Sequence, residues 1–269
     1  MPITFDDHER SRWADGARAY AETFAPLCAH PAADLLDAAG VSAGRHVLDV
    51  GTGTGTVAAL ASARGARVAA IDAEPSMVAA TAARLPAADV RPAVLPDVPF
   101  PAGTFDAVVA NFVVNHVGDP AATVAALRDV ARPGGRVAVT LWPQPSPPAQ
   151  ALWSVVFQAA GVAAAGLPGV AAEKNFARTE EGVAGLLAAG GLAEVECGRI
   201  EWTHRTTAEA WWAGAAAGLS APGQLLRRQS PAVQQALRAS FDRVVEDYRT
   251  ADGLLALPTS ALLASATVK

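Results

Sequence analysis

The chain has 269 residues, 26 acidic and 21 basic side chains, a formal net charge of -5, and a hydrophobic fraction of 51%. That length suits one core with an elaboration or cap, and the apolar fraction is enough to bury it. No basic run reaches the density of a nucleic-acid footprint (Arg227-Arg228 is a pair, not a patch), so DNA and bulk RNA are not expected partners.

The first twelve residues are polar and carry acids, unlike the basic start and apolar run of a signal peptide. Two helices are expected over 6–39, where Trp13 and Tyr20 stand seven apart on one helical face. Such helices either close over a site or pack on the sheet. Cys28 and Cys197 are far apart, which argues against a disulfide framework and for reduced thiols in a cytoplasmic protein.

From 46 to 142 short apolar runs alternate with alanine-rich helical stretches, the pattern of βαβ units around a parallel sheet. Val47-Leu48-Asp49-Val50 reads as a buried strand, 56–64 as a helix ending near Gly65, and 67–71 as a second strand closed by Asp72. A helix follows over 75–84 with Pro75 in its first turn, then a third strand over 90–95. The fourth strand, 105–112, is uniformly apolar, as a central parallel strand should be. Asp119 and Pro120 open a helix over 119–131, and Pro133-Gly134-Gly135 makes a tight turn into a fifth strand over 136–141. The uncharged stretch 141–172 holds Pro143, Pro145, Pro147, Pro148 and Pro168. It makes a poor bilayer span and reads as a loop followed by a buried helix, so no membrane partner is expected. Beyond it come a helix over 183–189, a strand over 193–205 with a bulge at Gly198, and helical sequence over 207–248 broken near 220–223 and 230–231. A last strand is expected over 261–268.

The segment that carries chemistry runs from Val47 to Thr56. A buried strand enters a glycine-rich turn and then a helix, where glycines let a ligand approach the backbone and the helix start offers amide donors. Glycines 51, 53 and 55 give G-x-G-x-G, not the G-x-G-x-x-G of dinucleotide binders. Asp49 stands two residues before the first glycine, where it suits a cationic ligand such as S-adenosylmethionine (SAM) and would repel a pyrophosphate. Asp72, 21 positions after Gly51 (72 minus 51), is placed to accept both hydroxyls of a ribose; the alternative is that it caps the next helix.

Residues 47–57, Asp72, the run Val98-Pro99-Phe100-Pro101-Ala102-Gly103-Thr104-Phe105-Asp106 and the run Arg132-Pro133-Gly134-Gly135-Arg136 together resemble the small-molecule class I SAM-dependent methyltransferases. That broad group includes the ubiquinone/menaquinone-type and many natural-product enzymes, and the likeness covers about 40–142. It implies an α/β fold: a Rossmann-like, mostly parallel seven-stranded sheet of order 3-2-1-4-5-7-6 with N-terminal helices and a helical cap. The implied segments are a lid over 1–40, a SAM-binding core over 41–142, and cap elements over 143–182 and 206–252. A helix and strands over 183–205 and 253–269 complete the sheet. The resemblance also implies residue roles. Asp49, Gly51 and Gly53 line the methionine end, with Gly55 in the turn beneath. Asp72 holds the ribose, Ala73 and Met77 pack on the adenine, and Asn111 offers its side chain or carbonyl to the methionine amine. Thr52 and Tyr20 belong to the same cofactor-facing set. One departure is Val94, where the family usually has an aspartate; the adenine contact then falls to the backbone near Leu95, to Asp97, or to water.

Open α/β sheets bind ligands beyond the carboxyl ends of their strands, where residues 111–116 lie. His116 is the candidate general base there, with simple packing or positioning as the alternative, since an activated sulfonium often needs only alignment. Trp142, Trp153, Phe157, Phe176, Trp202, Trp211 and Trp212 are candidates for the wall of an acceptor pocket, and His204 is a weaker base candidate. Trp211 and Trp212 are adjacent, so on a helix they cannot face the same way. Asn111-Phe112-Val113-Val114 is not the Asn-Pro-Pro-aromatic segment of nucleobase amino-methylating enzymes. No His/Cys cluster has zinc spacing, and no metal is expected. The only tyrosines, Tyr20 and Tyr248, leave no Tyr-x-x-x-Lys pair for an NAD-dependent oxidoreductase. The expected partner is a small-molecule methyl acceptor, and the expected assembly a monomer or homodimer. The competing reading is a SAM-binding protein on the same scaffold that promotes a cyclisation.

Overall fold

A computed structural model describes residues 4–163 and 167–269; residues 1–3 of the expected lid and 164–166 of the expected cap lie outside the described residues. Four short helices open the chain: α1 (Phe5–Trp13), α2 (Ala17–Glu22), α3 (Ala25–Cys28) and α4 (Ala32–Ala38). The sequence suggested two, because the alanine-rich run hides the turns at Gly16, Phe24 and Pro31 that separate them. The core then alternates β1 (His46–Val50), α5 (Thr56–Ala63), β2 (Arg67–Asp72), α6 (Pro75–Arg84), β3 (Asp89–Pro92), β4 (Phe105–Asn111), α7 (Pro120–Val130) and β5 (Ala131–Leu141). The cap and closing elements are α8 (Pro148–Ala159), α9 (Glu180–Ala189), β6 (Leu192–Thr206), α10 (Ala208–Ala216), α11 (Ala221–Arg227), α12 (Pro231–Val244) and β7 (Leu255–Val268).

The seven strands form one sheet of order β3-β2-β1-β4-β5-β7-β6. Strands β1 to β5 pair in parallel, and β7 runs antiparallel between β5 and β6. Order and mixed direction are those the resemblance implied. β1 and β4 are buried along nearly their whole length because helices cover both faces. On one face Val47, Ala107 and Val109 meet Leu35 and Leu36 of α4 and Val57 of α5. On the other, Leu48, Val108 and Val139 meet Val124 and Leu127 of α7 and Leu187 of α9. The cap has its own apolar cluster, with Trp153 and Phe157 of α8, Trp211 of α10, Leu226 of α11 and Phe241 of α12.

The expected breaks in the helical sequence after 207 are N-caps. Thr207, Ser220 and Ser230 accept from the amides of Ala210, Gly223 and Val233, satisfying donors that the first helical turn leaves free. Four strand expectations are corrected. β5 begins at Ala131, five residues before the expected Arg136 (136 minus 131), with a register shift in place of the expected Pro133-Gly134-Gly135 turn. β3 is shorter than 90–95 and ends at Pro92. The bulge in β6 lies at Glu194, not Gly198: the register shifts between Ala193 and Glu196, and Glu194 takes φ +48° with its carboxylate held by the Thr267 hydroxyl at 2.9 Å. Gly198 pairs regularly with Leu263. β7 begins six residues earlier than the expected Ala261 (261 minus 255), at Leu255. Pro258 makes that stretch look unlike a strand, yet it is tolerated because β5 has already ended at the Leu141–Leu262 pair, leaving β6 as the only neighbour. No helix among the described residues is long and apolar enough to cross a membrane.

Candidate active site

Register sets the site. Val50 pairs with Ile71 on one side and Ala110 on the other, so the next residues along, Gly51, Asp72 and Asn111, stand abreast at the carboxyl edge of the sheet. There the chain leaves β1 through Gly51 and Gly53, both in the left-handed region (φ +63° and +57°). A side chain at Gly51 would place its Cβ 2.4 Å from Val113 Cγ2, and one at Gly53 would lie 3.2 Å from the Tyr20 ring. The loop therefore needs glycine for conformation and for space.

The two acids do different work. Asp49 is buried beneath the loop: its Oδ2 accepts from the Thr52 hydroxyl (2.7 Å) and the Ala58 amide (3.0 Å). Burial pushes its carboxyl up to about 7, against the pull of those two bonds. Asp49, Thr52 and Gly55 lie behind the lining of the cavity described below, shaping the loop from within. Asp72 does face the cavity, and it also ties the loop to the next helix, accepting from the Gly53 amide (2.8 Å) and the Glu74 amide (2.9 Å). Burial raises its pKa, opposed by these same amides. The cap of α6 is Glu74, whose carboxylate accepts from Ser76 N, so the capping alternative for Asp72 falls to its neighbour.

A single cavity of about 780 Å³ runs from this edge under the cap. Its floor is Gly51, Gly53 and Asp72; Ala73, Met77 and Leu95 form one end wall, and Tyr20 stands over the loop. Tyr20 is half-buried there beside Cys28, and desolvation raises its phenol well above the ordinary range. Asp97 is exposed and off the cavity, whereas Leu95 lines it. The Asn111 amide is already engaged, donating to Cys28 O (2.9 Å) and accepting from the Thr140 hydroxyl (2.6 Å). Its Oδ1 keeps a second lone pair, so both options expected for Asn111, side chain and carbonyl, stay open.

The far half of the cavity is aromatic. Trp142, Trp153, Phe157, Phe176 and Trp211 line it. Trp202 does not: it stacks on His30 (4.8 Å between ring centres). Trp212 faces away, against Trp153, Phe241 and the Arg238 guanidinium. His204 is buried on the edge strand β6 beside Trp211 and lies off the cavity.

His116 lines the cavity between the two halves. Its Nδ1 lies 2.7 Å from Glu9 Oε2 and 2.9 Å from Arg12 Nη2, and the Glu9–Arg12 pair is itself 2.6 Å apart. Trp13 meets the imidazole edge-on. Burial lowers the His116 pKa; the Glu9 bond opposes this, while Arg12 and Arg178 add to it. Burial pushes the Glu9 carboxyl up, but the bond to His116 and the charges of His116, Arg12 and His8 outweigh it and hold Glu9 below its usual range. Glu9 and Arg12 escaped the sequence reading because a charged N-terminal helix more often meets solvent; their i, i+3 spacing was the one available signal.

Residues 48–139 match a family described as a methyltransferase domain. The demethylmenaquinone methyltransferase of Renibacterium salmoninarum is 32% identical over 112 residues, covering 42% of this chain and 47% of that protein. The chain spans about half the length of the curated relatives it matches. Among solved structures, the YcgJ protein of Bacillus subtilis aligns with a TM-score of 0.55 at 16% identity, covering 89% of this chain and 98% of the other. The Haemonchus contortus phosphoethanolamine N-methyltransferase 2, in complex with phosphomonomethylethanolamine and S-adenosylhomocysteine, aligns at TM-score 0.58 and 17% identity, covering 100% and 61%. At those identities the likeness to solved structures is one of fold.

Proposed function

We propose that this chain, which carries a class I SAM-dependent methyltransferase domain, transfers a methyl group to O, N or C of a small, largely apolar acceptor held under its helical cap. The observation that carries this reading is the continuity of the cavity. One space joins the glycine loop and Asp72 to an aromatic wall, and about 780 Å³ is ample for a cofactor with a second molecule beside it. The residues fit the cofactor by their chemistry. Asp72 suits a ribose diol, Met77 and Leu95 an adenine face, and the Gly51–Gly53 cradle a close-lying amino-acid end with the Asn111 carbonyl for its ammonium. Bound there, SAM supplies an already activated methyl group.

The chain's own work is then to align the acceptor, exclude water and hold a proton. The aromatic wall favours an apolar acceptor, because an unpaired polar group buried against it would be costly. His116 stands where the two halves meet, and a neutral imidazole there takes the proton that an acceptor hydroxyl or amine loses as its bond to carbon forms. We place the activity in small-molecule metabolism in the cytoplasm, as a monomer or homodimer; two unpaired cysteines suit a reducing compartment.

The test begins with calorimetric titration of SAM, S-adenosylhomocysteine and NAD, where heat is expected for the first two. Incubation with methyl-labelled SAM and a panel of apolar hydroxy- and amino-compounds follows, reading labelled product and released S-adenosylhomocysteine. Saturable NAD binding without SAM binding would refute the cofactor. Tight SAM binding with acceptor conversion but no label transfer would favour a rearrangement instead.

A further inference from the structure

The helix that walls the cavity beside His116 is held by polar contacts and by Trp13, which packs edge-on against Tyr20 and His116. None of the α1 residues belongs to the apolar clusters of the core or cap. Asp6 accepts from the Gly118 amide at 2.6 Å, and Glu9 and Arg12 meet His116. Glu9 and Arg12 are each under a tenth exposed, and Arg12 Nε has no partner among the described residues, so Glu9 is the acid on which that buried guanidinium relies.

A donor and an acceptor cannot both be satisfied by one ring nitrogen. If Nδ1 carries the proton, it donates to Glu9 Oε2 and Arg12 donates to the same carboxylate, two charge-assisted bonds set against one donor–donor contact between Nδ1–H and Arg12 Nη2 at 2.9 Å. If Nδ1 is bare, Arg12 can donate to it, but Glu9 Oε2 then faces a lone pair at 2.7 Å. The ionised carboxylate decides for the first arrangement. It leaves Nε2 bare, and Nε2 makes no hydrogen bond among the described residues. When α1 is away from the 112–118 segment, His116 has neither group beside it.

We propose that Glu9, supported by Arg12, is a positioning residue that α1 brings to His116, so that docking of this helix fixes the imidazole with its proton on Nδ1 and its Nε2 lone pair toward the acceptor. Closure over the cavity and preparation of the base are then one event. The charged groups facing the ring are Glu9 and Arg12 from α1 and Arg178 from the segment before α9. This inference rests on the proposed role of His116, but its first test does not require turnover.

The tautomer of His116 is read by long-range ¹H–¹⁵N correlation in the full-length protein, across pH. The wild type should show the Nδ1–H form when neutral. In Glu9→Met, Arg12 is left as the nearest donor to Nδ1, and the Nε2–H form should replace it. Glu9→Gln keeps an acceptor and so the tautomer, but loses the charge, and the His116 pKa should fall. Arg12→Gln removes the cation, and the pKa should rise. With an acceptor in hand, turnover at the pH optimum should drop about a hundredfold in Glu9→Met, the scale of a lost general base, with S-adenosylhomocysteine affinity unchanged. The acid limb of the rate profile should move down in Glu9→Gln and up in Arg12→Gln. A wild-type ring protonated on Nε2, or a tautomer and pKa indifferent to Glu9, would overturn the proposal. Absence of methyl transfer to any acceptor would instead count against the function, leaving the tautomer result to stand by itself.

Discussion

Asp72 makes two demands on one carboxylate, and removing it should reveal both. Its oxygens accept from Gly53 N at 2.8 Å and Glu74 N at 2.9 Å, holding the glycine loop to the start of α6 before any ligand arrives. Each oxygen retains a further lone pair for a ribose hydroxyl. Bonds to a charged acceptor contribute about 1.5–3 kcal/mol each, so two are worth about 3–6 kcal/mol. Against this stand the relief of a desolvated carboxylate, whose pKa burial has raised, and water entering from the open cavity. A net loss of about 2 kcal/mol is expected for Asp72→Ala, which lowers Tm by about 4–8 °C in a chain of this size. Asp72→Asn should do no better, since its amide nitrogen would face one of the two backbone N–H groups. SAM affinity should fall about tenfold or more, equivalent to about 1.4 kcal/mol. Scanning calorimetry of the ligand-free protein and titration with SAM measure the two effects separately. An unchanged Tm would refute the loop-holding role; a lowered Tm with unchanged SAM affinity would refute the ribose role.

The adjacent tryptophans should separate cleanly. Trp211→Leu is expected to raise KM for the acceptor, because Trp211 lines the cavity, while Trp212→Leu should lower Tm and leave that KM unaltered, because Trp212 packs on Phe241 and Arg238; steady-state kinetics with equal effects from both would contradict the geometry. Gly51→Ala forces a Cβ to 2.4 Å from Val113 Cγ2 and a side chain into φ +63°, a conformation costing about 1–2 kcal/mol before the clash is relieved. SAM affinity should fall in titrations, and Val113→Ala in the same chain should restore only part of it. Wild-type binding by the single variant would sink the argument that the loop has no room.

Much of this architecture was legible in the residues. The alternation of apolar runs and alanine-rich helices, the Asp119-Pro120 start of α7 and the Gly51-Thr52-Gly53 turn each carry local signals, and local rules are enough to read them. The position of Asp72 followed from counting along two strands. Sequence spacing could not say which way a side chain faces once neighbours compete for it. Asp49 and Asp72 are both acids beside the same loop, yet the fold buries one under α5 and turns the other to the cavity. Asp97 stands near the right place in sequence but is exposed, and the Asn111 amide is oriented by bonds to Cys28 and Thr140. The start of β7 was obscured by Pro258, whose missing amide matters only if a strand lies on both sides, a fact of sheet order. His116 was readable as a titratable group past β4; that its partners are Glu9 and Arg12, 107 and 104 residues away, was not. By itself, then, the sequence determined the alternation of strands and helices in the core and the glycine cradle, since these depend on near neighbours, but not the exact bounds of the strands or the number of N-terminal helices. Tertiary structure alone decided which acid lines the cavity and which groups stand against His116, because those depend on segments brought together only when the helices pack on the sheet.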